Sequence, residues 1–337
     1  MYRKINFVWT ISLLAALVMF LGACSSSTNQ GGNNTGEAAA NQTQSNTDGA
    51  GNTNAPAEPA PAAPVTIQGL RGEITLDKVP EKIVVLDVQY ADQMLALGKQ
   101  PLGSVVAETD NALPEYLGEK MNNVTLVGTY VEPNLEAIIG LQPDLIIATE
   151  FHDKIYDDLQ KVAPTLVLER NEDWRTVLLK FGQILHQPEE AQKLVDDYKQ
   201  KVSDLKTVLA DKLKDQTVAL IRPRDKMIRL HTTSHRTAQI LYDDLGLTPP
   251  KMAVNSTDTS TMISLEVMPE LAADHMFLLQ DDTNKELTAE FQNTSIWKNL
   301  GAVTSSHVYV ENTAQWIGYY GPIAINLVVD QIADALN

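Results

Sequence analysis

The sequence predicts an α/β fold of two lobes with mostly parallel sheets, joined by one long helix. Three observations carry that reading. Short runs rich in Val, Ile and Leu, without clean polar alternation, recur through residues 65 to 337 as strands buried on both faces require. Amphipathic segments separate those runs, the pattern of alternating layers. A helical period of unusual length then divides them into two series.

Taken in order, the turn around Gly69 to Gly72 predicts an opening hairpin. Strands are expected at 82–88, 102–107, 124–128, 144–149 and 164–169, and a second series at 217–222, 227–231, 275–280 and 307–311. Between the series, Ala191, Leu194, Val195, Tyr198, Val202, Leu205, Val208 and Leu209 recur at steps of three and four, one continuous apolar face. Pro188 suits a first helical position, and Glu189 and Glu190 suit the positive end of the dipole. A helix from 188 to about 211 is about 35 Å long, enough to run across two lobes as a strut.

An internal repeat supports the division. Asn134-Leu135-Glu136 precedes Leu141, Asp144 and the run Leu145-Ile146-Ile147; Ser264-Leu265-Glu266 precedes Leu271, Asp274 and Met276-Phe277-Leu278 at the same offsets. Each copy reads as a capping residue, a helix, and a strand entered through Asp. Leu97-Gly98 and Leu245-Gly246 are shorter echoes at helix ends.

Ahead of the body, Arg3 and Lys4 precede an apolar stretch from 7 to 21 that ends in Leu21-Gly22-Ala23-Cys24, which holds the only cysteine in 337 residues. The layout is that of a secretory signal, too short for a spanning helix. The tetrad resembles the lipobox of bacterial lipoproteins, in which the cysteine is alkylated with diacylglycerol. Residues 25 to 64 contain no aromatic residue, Lys or Arg, and only Glu37, Asp48 and Glu58 as charges. Such a segment cannot bury enough apolar surface to offset its ordering entropy and is expected to act as a disordered tether. The division is therefore a signal at 1–23, a tether at 24–64, an N-terminal lobe at 65–171, a helical region at 172–212 and a C-terminal lobe at 213–337.

Beyond Cys24 no disulfide is possible, so stability must come from packing. The formal net charge of -17 argues against nucleic acid as a partner, since neutralising phosphate needs a cationic face. Phosphate loops, Gly-x-Ser-x-Gly and His-Glu-x-x-His are absent, and no enzyme activity is expected. His231 and His235 invite a metal-site reading by their spacing of four, but the intervening Thr232-Thr233-Ser234 reads as a strand end and a helix cap, so the two need not share a face. His152, His186, His275 and His307 are scattered.

The body resembles a family, the iron-siderophore and cobalamin substrate-binding lipoproteins of bacterial ABC importers. The resemblance rests on Lys82-Ile83-Val84-Val85-Leu86 leading to Ala96-Leu97-Gly98, on the two repeat copies, on Val162-Ala163-Pro164-Thr165, and on Trp297-Lys298-Asn299-Leu300 through to Trp316. It implies a periplasmic-binding-protein-like fold of the helical-backbone type, with ligand in the cleft between lobes and only small opening motions. Glu136 and Glu266 match the family glutamates that dock onto permease arginines. A ferric siderophore supplies its own iron ligands, so no cofactor is expected to stay bound, and iron enters only through the siderophore.

Arg222 and Arg224 stand at a strand end where family members contact ligand. Tyr130, Phe151, Tyr90, Trp316, Tyr319 and Arg236 are the further candidates, with Arg175 a weaker one and Trp174 expected to anchor the approach to the long helix. Hydroxamate or citrate-hydroxamate cargo is favoured on Arg222, Arg224 and Trp316. Cobalamin or haem is the alternative within the fold, and direct metal capture a more distant one. The partners expected are the siderophore, the permease and, through the lipid, the outer face of a Gram-positive cell membrane, with the chain acting as a monomer.

Overall fold

A computed structural model describes residues 64–106, 113–255 and 257–336, which fall in one compact unit. The signal, nearly all of the tether and Cys24 lie outside the described residues. The chain opens with the hairpin β1 (Val65–Gly69) and β2 (Gly72–Leu76). It continues with β3 (Ile83–Val85), α1 (Val88–Ala96), β4 (Gly103–Val106), β5 (Thr125–Thr129), α2 (Leu135–Leu141), β6 (Leu145–Thr149), α3 (Tyr156–Val162) and β7 (Thr165–Leu168). These strands form a parallel sheet in the order β5-β4-β3-β6-β7.

Two helices follow, α4 (Trp174–Ile184) and α5 (Pro188–Leu213). The second lobe runs through β8 (Val218–Arg224), β9 (Met227–His231), α6 (Arg236–Gln239), β10 (Ser260–Ile263), α7 (Met268–Leu271) and β11 (His275–Gln280). It ends with α8 (Lys285–Asn293), α9 (Ser295–Lys298), α10 (Gly301–Thr304), β12 (Val308–Asn312), α11 (Thr313–Ile317) and α12 (Pro322–Leu336). Its sheet has the order β10-β9-β8-β11-β12. Only β8, β11 and β12 are parallel; β9 returns antiparallel to β8, and β10 antiparallel to β9. The four-residue edge strand β10 carries too short a pattern to announce itself in sequence.

The repeat has a physical cause. Asp144 accepts the N–H groups of Glu81 and Lys82, each at 2.9 Å, just before β3, while Asp274 accepts the N–H of Thr217 at 2.8 Å, just before β8. Each Asp therefore ties the start of one strand to its neighbour's and sets their register. Asn134 caps α2 as expected, its side-chain oxygen 3.0 Å from the N–H of Ala137. Ser264 does not repeat that cap: its segment is a tight 3₁₀ turn over Leu265–Val267, and its hydroxyl turns to the Glu266 carboxylate instead.

Helix α5 has 26 residues and spans about 39 Å. It buries Ala191, Val195, Tyr198, Val202, Leu209 and Leu213, whereas Val208 is 52% exposed and falls off the predicted face. Its first turns pack on α4, and the Tyr198 hydroxyl donates to Asp244 of the second lobe at 2.6 Å. Trp174 anchors this approach, edge-on to the Tyr198 ring at 4.9 Å. One apolar core includes Val85, Ile147 and Leu168 of the first sheet and Leu220, Phe277 and Leu279 of the second, so it passes unbroken between lobes. Separate clusters cover the outer face of each sheet.

Candidate functional site

The site grows from the end of β8. Val218 and Leu220 join the central core, and alternation then places Arg222 and Arg224 on the same face once the strand leaves it. Register sets Arg229 of β9 opposite Arg222, and His231 follows on that face two residues later. The Arg222 guanidinium donates to Asp281, at the end of β11, at 2.8 Å, and Arg224 pairs with Asp225 at 3.2 Å. A cavity of about 870 Å³ opens here, lined by Arg222, Arg224, Asp281, Leu287, Ile317 and Tyr319 among others. The Nε groups of Arg222 and Arg229 are buried with no hydrogen-bond partner among the described residues. Burial, then the charges of Arg224 and Arg222, disfavours the Arg229 cation.

The row continues toward the first lobe. The His231 and His235 rings meet edge-on, 4.2 Å between centroids, and both His231 nitrogens lack a partner among the described residues. These two side chains therefore do share a face, contrary to expectation, because the cap of α6 is His235 itself, whose Nδ1 accepts the N–H of Thr237. Next along the chain, Arg236 lies 3.8 Å over the Tyr320 ring and donates to the carbonyls of Arg170 and Glu172, each at 3.4 Å. That contact crosses between the lobes.

On the far side, Arg170 donates to the Asp87 carboxylate at 2.8 Å and lies 4.7 Å over the Tyr130 ring. Burial pushes the Tyr130 phenol up to about 12. Arg170 escaped the sequence reading, although the rule that selected Arg222 could have found it: it stands just past the end of β7, where open α/β sheets expose a crevice.

Several expected contacts sit elsewhere. Tyr90 is fully buried, its ring 5.7 Å from Phe181 and its hydroxyl donating to the Leu168 carbonyl, because the first turn of α1 points it into the core. Trp316 is 1% exposed; it packs on Phe277 at 4.8 Å and its indole N–H donates to Gln331. Neither reaches the cleft. Phe151 is 63% exposed beside Tyr130, their rings 5.4 Å apart. Arg175 braces the connection to α5, donating to Asp173 at 3.0 Å and to Asp244 at 3.4 Å. Glu136 and Glu266 are exposed on the first turns of their segments, one in each lobe. Among the described residues no group of three or more His, Cys, Asp or Glu could hold a metal ion.

The paired histidines give a pH dependence of known sign. Burial first, then neighbouring cations, lowers His235 to about 4, and burial drives His231 well below its ordinary value. Groups whose pKa falls on folding contribute stability above the unfolded value of about 6.5 and lose it as pH falls toward the folded one. His235→Asn retains a capping acceptor for Thr237 but removes the titration. Relative to this variant, the native chain is expected to lose on the order of 3 kcal/mol between pH 6.5 and 4, measured by urea unfolding. Parallel stability curves for the two proteins would contradict the assignment.

Comparison with known proteins places this architecture. The family model for periplasmic binding proteins matches residues 83–312. The probable siderophore-binding lipoprotein YfiY of Bacillus subtilis is 31% identical over 266 residues, 75% of this chain and 81% of that one. The Fe(3+)-citrate-binding protein YfmC of the same organism is 29% identical and covers 95% of this chain and 93% of its own length. Among solved structures, Staphylococcus aureus SirA complexed with staphyloferrin B matches with a TM-score of 0.71 at 27% identity, covering 81% of this chain and 98% of that chain. The chain belongs to the periplasmic binding protein family, among the iron-siderophore substrate-binding proteins of ABC transporters, and it works as a binding protein and not as an enzyme.

Proposed function

We propose that this chain captures an anionic ferric siderophore, of the citrate-hydroxamate class in preference to a neutral trihydroxamate, and delivers it to an ABC permease from a lipid anchor at Cys24. The observation that carries the reading is the row of Arg224, Arg222, Arg229, Arg236 and Arg170, with His231 and His235, uncharged at neutral pH, set between them, within a chain of net charge -17. Among the described residues only Asp225, Asp281 and Asp87 form ion pairs with arginines of that row. Like charges held close together at partly buried positions cost free energy that an anion relieves, and guanidinium groups match carboxylates in bidentate geometry. With Trp316 and Tyr90 in the core, aromatic stacking has less part in recognition than the sequence suggested. The ferric ion arrives already coordinated by its siderophore, so the protein needs no metal ligands of its own.

Relatives divide between the two classes: the SirA structure contains staphyloferrin B and YfmC is named for ferric citrate, while YxeB of Bacillus subtilis, 29% identical, is named for iron(3+)-hydroxamate, so the preference rests on the arginine row. The test is tryptophan fluorescence titration against ferric dicitrate, ferric staphyloferrin B, a neutral ferric trihydroxamate, haem and cobalamin. A carboxylate-bearing ferric complex is expected to bind below about 10 μM, roughly -7 kcal/mol. Arg222→Ala should weaken that binding by about tenfold or more, as loss of a charge-assisted pair does. Tighter binding of the neutral trihydroxamate would overturn the assignment.

Docking is assigned to Glu136 and Glu266, exposed carboxylates at matched positions of the repeat. Reversing both to Arg is expected to abolish iron uptake by cells while leaving ligand affinity unchanged; undiminished uptake would refute the role. Tethering is assigned to Cys24, whose two acyl chains give stable attachment where one would not. Cys24→Ala is expected to shed binding-competent protein into the culture medium, and retention of that variant on the cell would count against a lipid anchor.

A further inference from the structure

A buried carboxylate outside the cationic row joins the two lobes. Asp92 of α1 is fully buried. One of its oxygens accepts the N–H of Ile323 at 2.8 Å; the other accepts the N–H of Ala324 at 3.0 Å and the Tyr116 hydroxyl at 2.8 Å. Ile323 and Ala324 open the 15-residue helix α12, whose first residue, Pro322, has no N–H to offer. A carboxylate of the first lobe thus caps a helix that the second lobe sends back across the interface, where the helix dipole favours negative charge.

The segment just before that helix forms part of the ligand site. Tyr319 lines the cavity, and its ring lies 5.2 Å from that of Tyr116, the residue that also grips Asp92. Tyr320 supports the Arg236 guanidinium. Gly321 has its backbone pressed so closely on Asp92 that a Cβ there would overlap the carboxylate. Burial raises Asp92 to about 6 against the pull of its hydrogen bonds, so at neutral pH it is the charged form that holds the helix.

We propose that Asp92 is a positioning residue for ligand binding: acting from the N-terminal lobe, it fixes residues 319–321 of the C-terminal lobe so that Tyr319 faces the cavity that Arg222 and Arg224 also line. Only the affinity arm of the test below rests on the anionic-siderophore reading. Two substitutions attack the latch from opposite sides. Asp92→Ala removes the acceptor, and Gly321→Ala pushes the segment away while keeping the carboxylate. Both are expected to speed amide hydrogen exchange across residues 319–326 by at least tenfold, with β3 and β6 unchanged.

Both should also weaken binding of the tighter of ferric dicitrate and ferric staphyloferrin B by at least tenfold. Asp92→Asn, which keeps the shape and one acceptor, should recover part of each loss. Unchanged exchange in the variants would overturn the latch, and faster exchange with native affinity would overturn its role in positioning. If Asp92→Ala does not fold, Gly321→Ala and Asp92→Asn decide. If the native chain binds neither complex, the anionic-siderophore reading falls while exchange still decides the latch.

Discussion

One apolar core runs unbroken from the first sheet to the second, and everything else in the structure depends on it. Val85, Ile147 and Leu168 share that core with Leu220, Phe277 and Leu279, and α5 lies along it as a rigid spar. Wide opening of the lobes would expose this surface to water at a cost of about 25 cal/mol for each Å². A binding protein built in this way presents its ligand with a cleft that is already shaped, so little affinity is lost to reorganisation.

The same rigidity makes a crowded cationic row sustainable. Guanidinium groups on a flexible loop would splay apart and relax their repulsion. On the paired strands β8 and β9 the register fixes Arg222 against Arg229, and Arg236 is pinned between Tyr320 and two carbonyls from the other lobe. The repulsion is therefore held in place by the packing, and the proposed anionic ligand would relieve it. The Nε groups of Arg222 and Arg229, buried and without partners among the described residues, sharpen the effect, since a ligand without acceptors would leave those donors dry.

Much of the fold was legible because its signals are local or periodic. The spacing of Ala191, Val195, Tyr198 and Val202 announced α5, and the matched Asp144 and Asp274 announced two related lobes, since each performs the same strand-joining task. The site was legible only in part. Arg222 and Arg224 were picked out by their place at a strand end and Tyr319 by its closeness to Trp316, and the cavity lining contains all three. Tyr90 and Trp316 were not separable from cleft aromatics, because sequence does not show which way a helix turns its first residues or that Gln331 waits for an indole N–H. Arg170 stood at a strand end like Arg222, but its carboxylate partner lies 83 residues away, and the backbone groups that Asp92 holds lie more than 200 residues away.

The placement of the cationic row at strand ends has a consequence for change over time. Residues that hold the fold together, on α5 and in the central core, are distinct from those proposed to meet the ligand, which stand at the ends of β7 and β8. Substituting Arg222 or Arg224 alters the chemistry of the cavity wall while the packed layers beneath keep their shape. Such a chassis can take on a differently charged cargo by rewriting a handful of strand-end side chains.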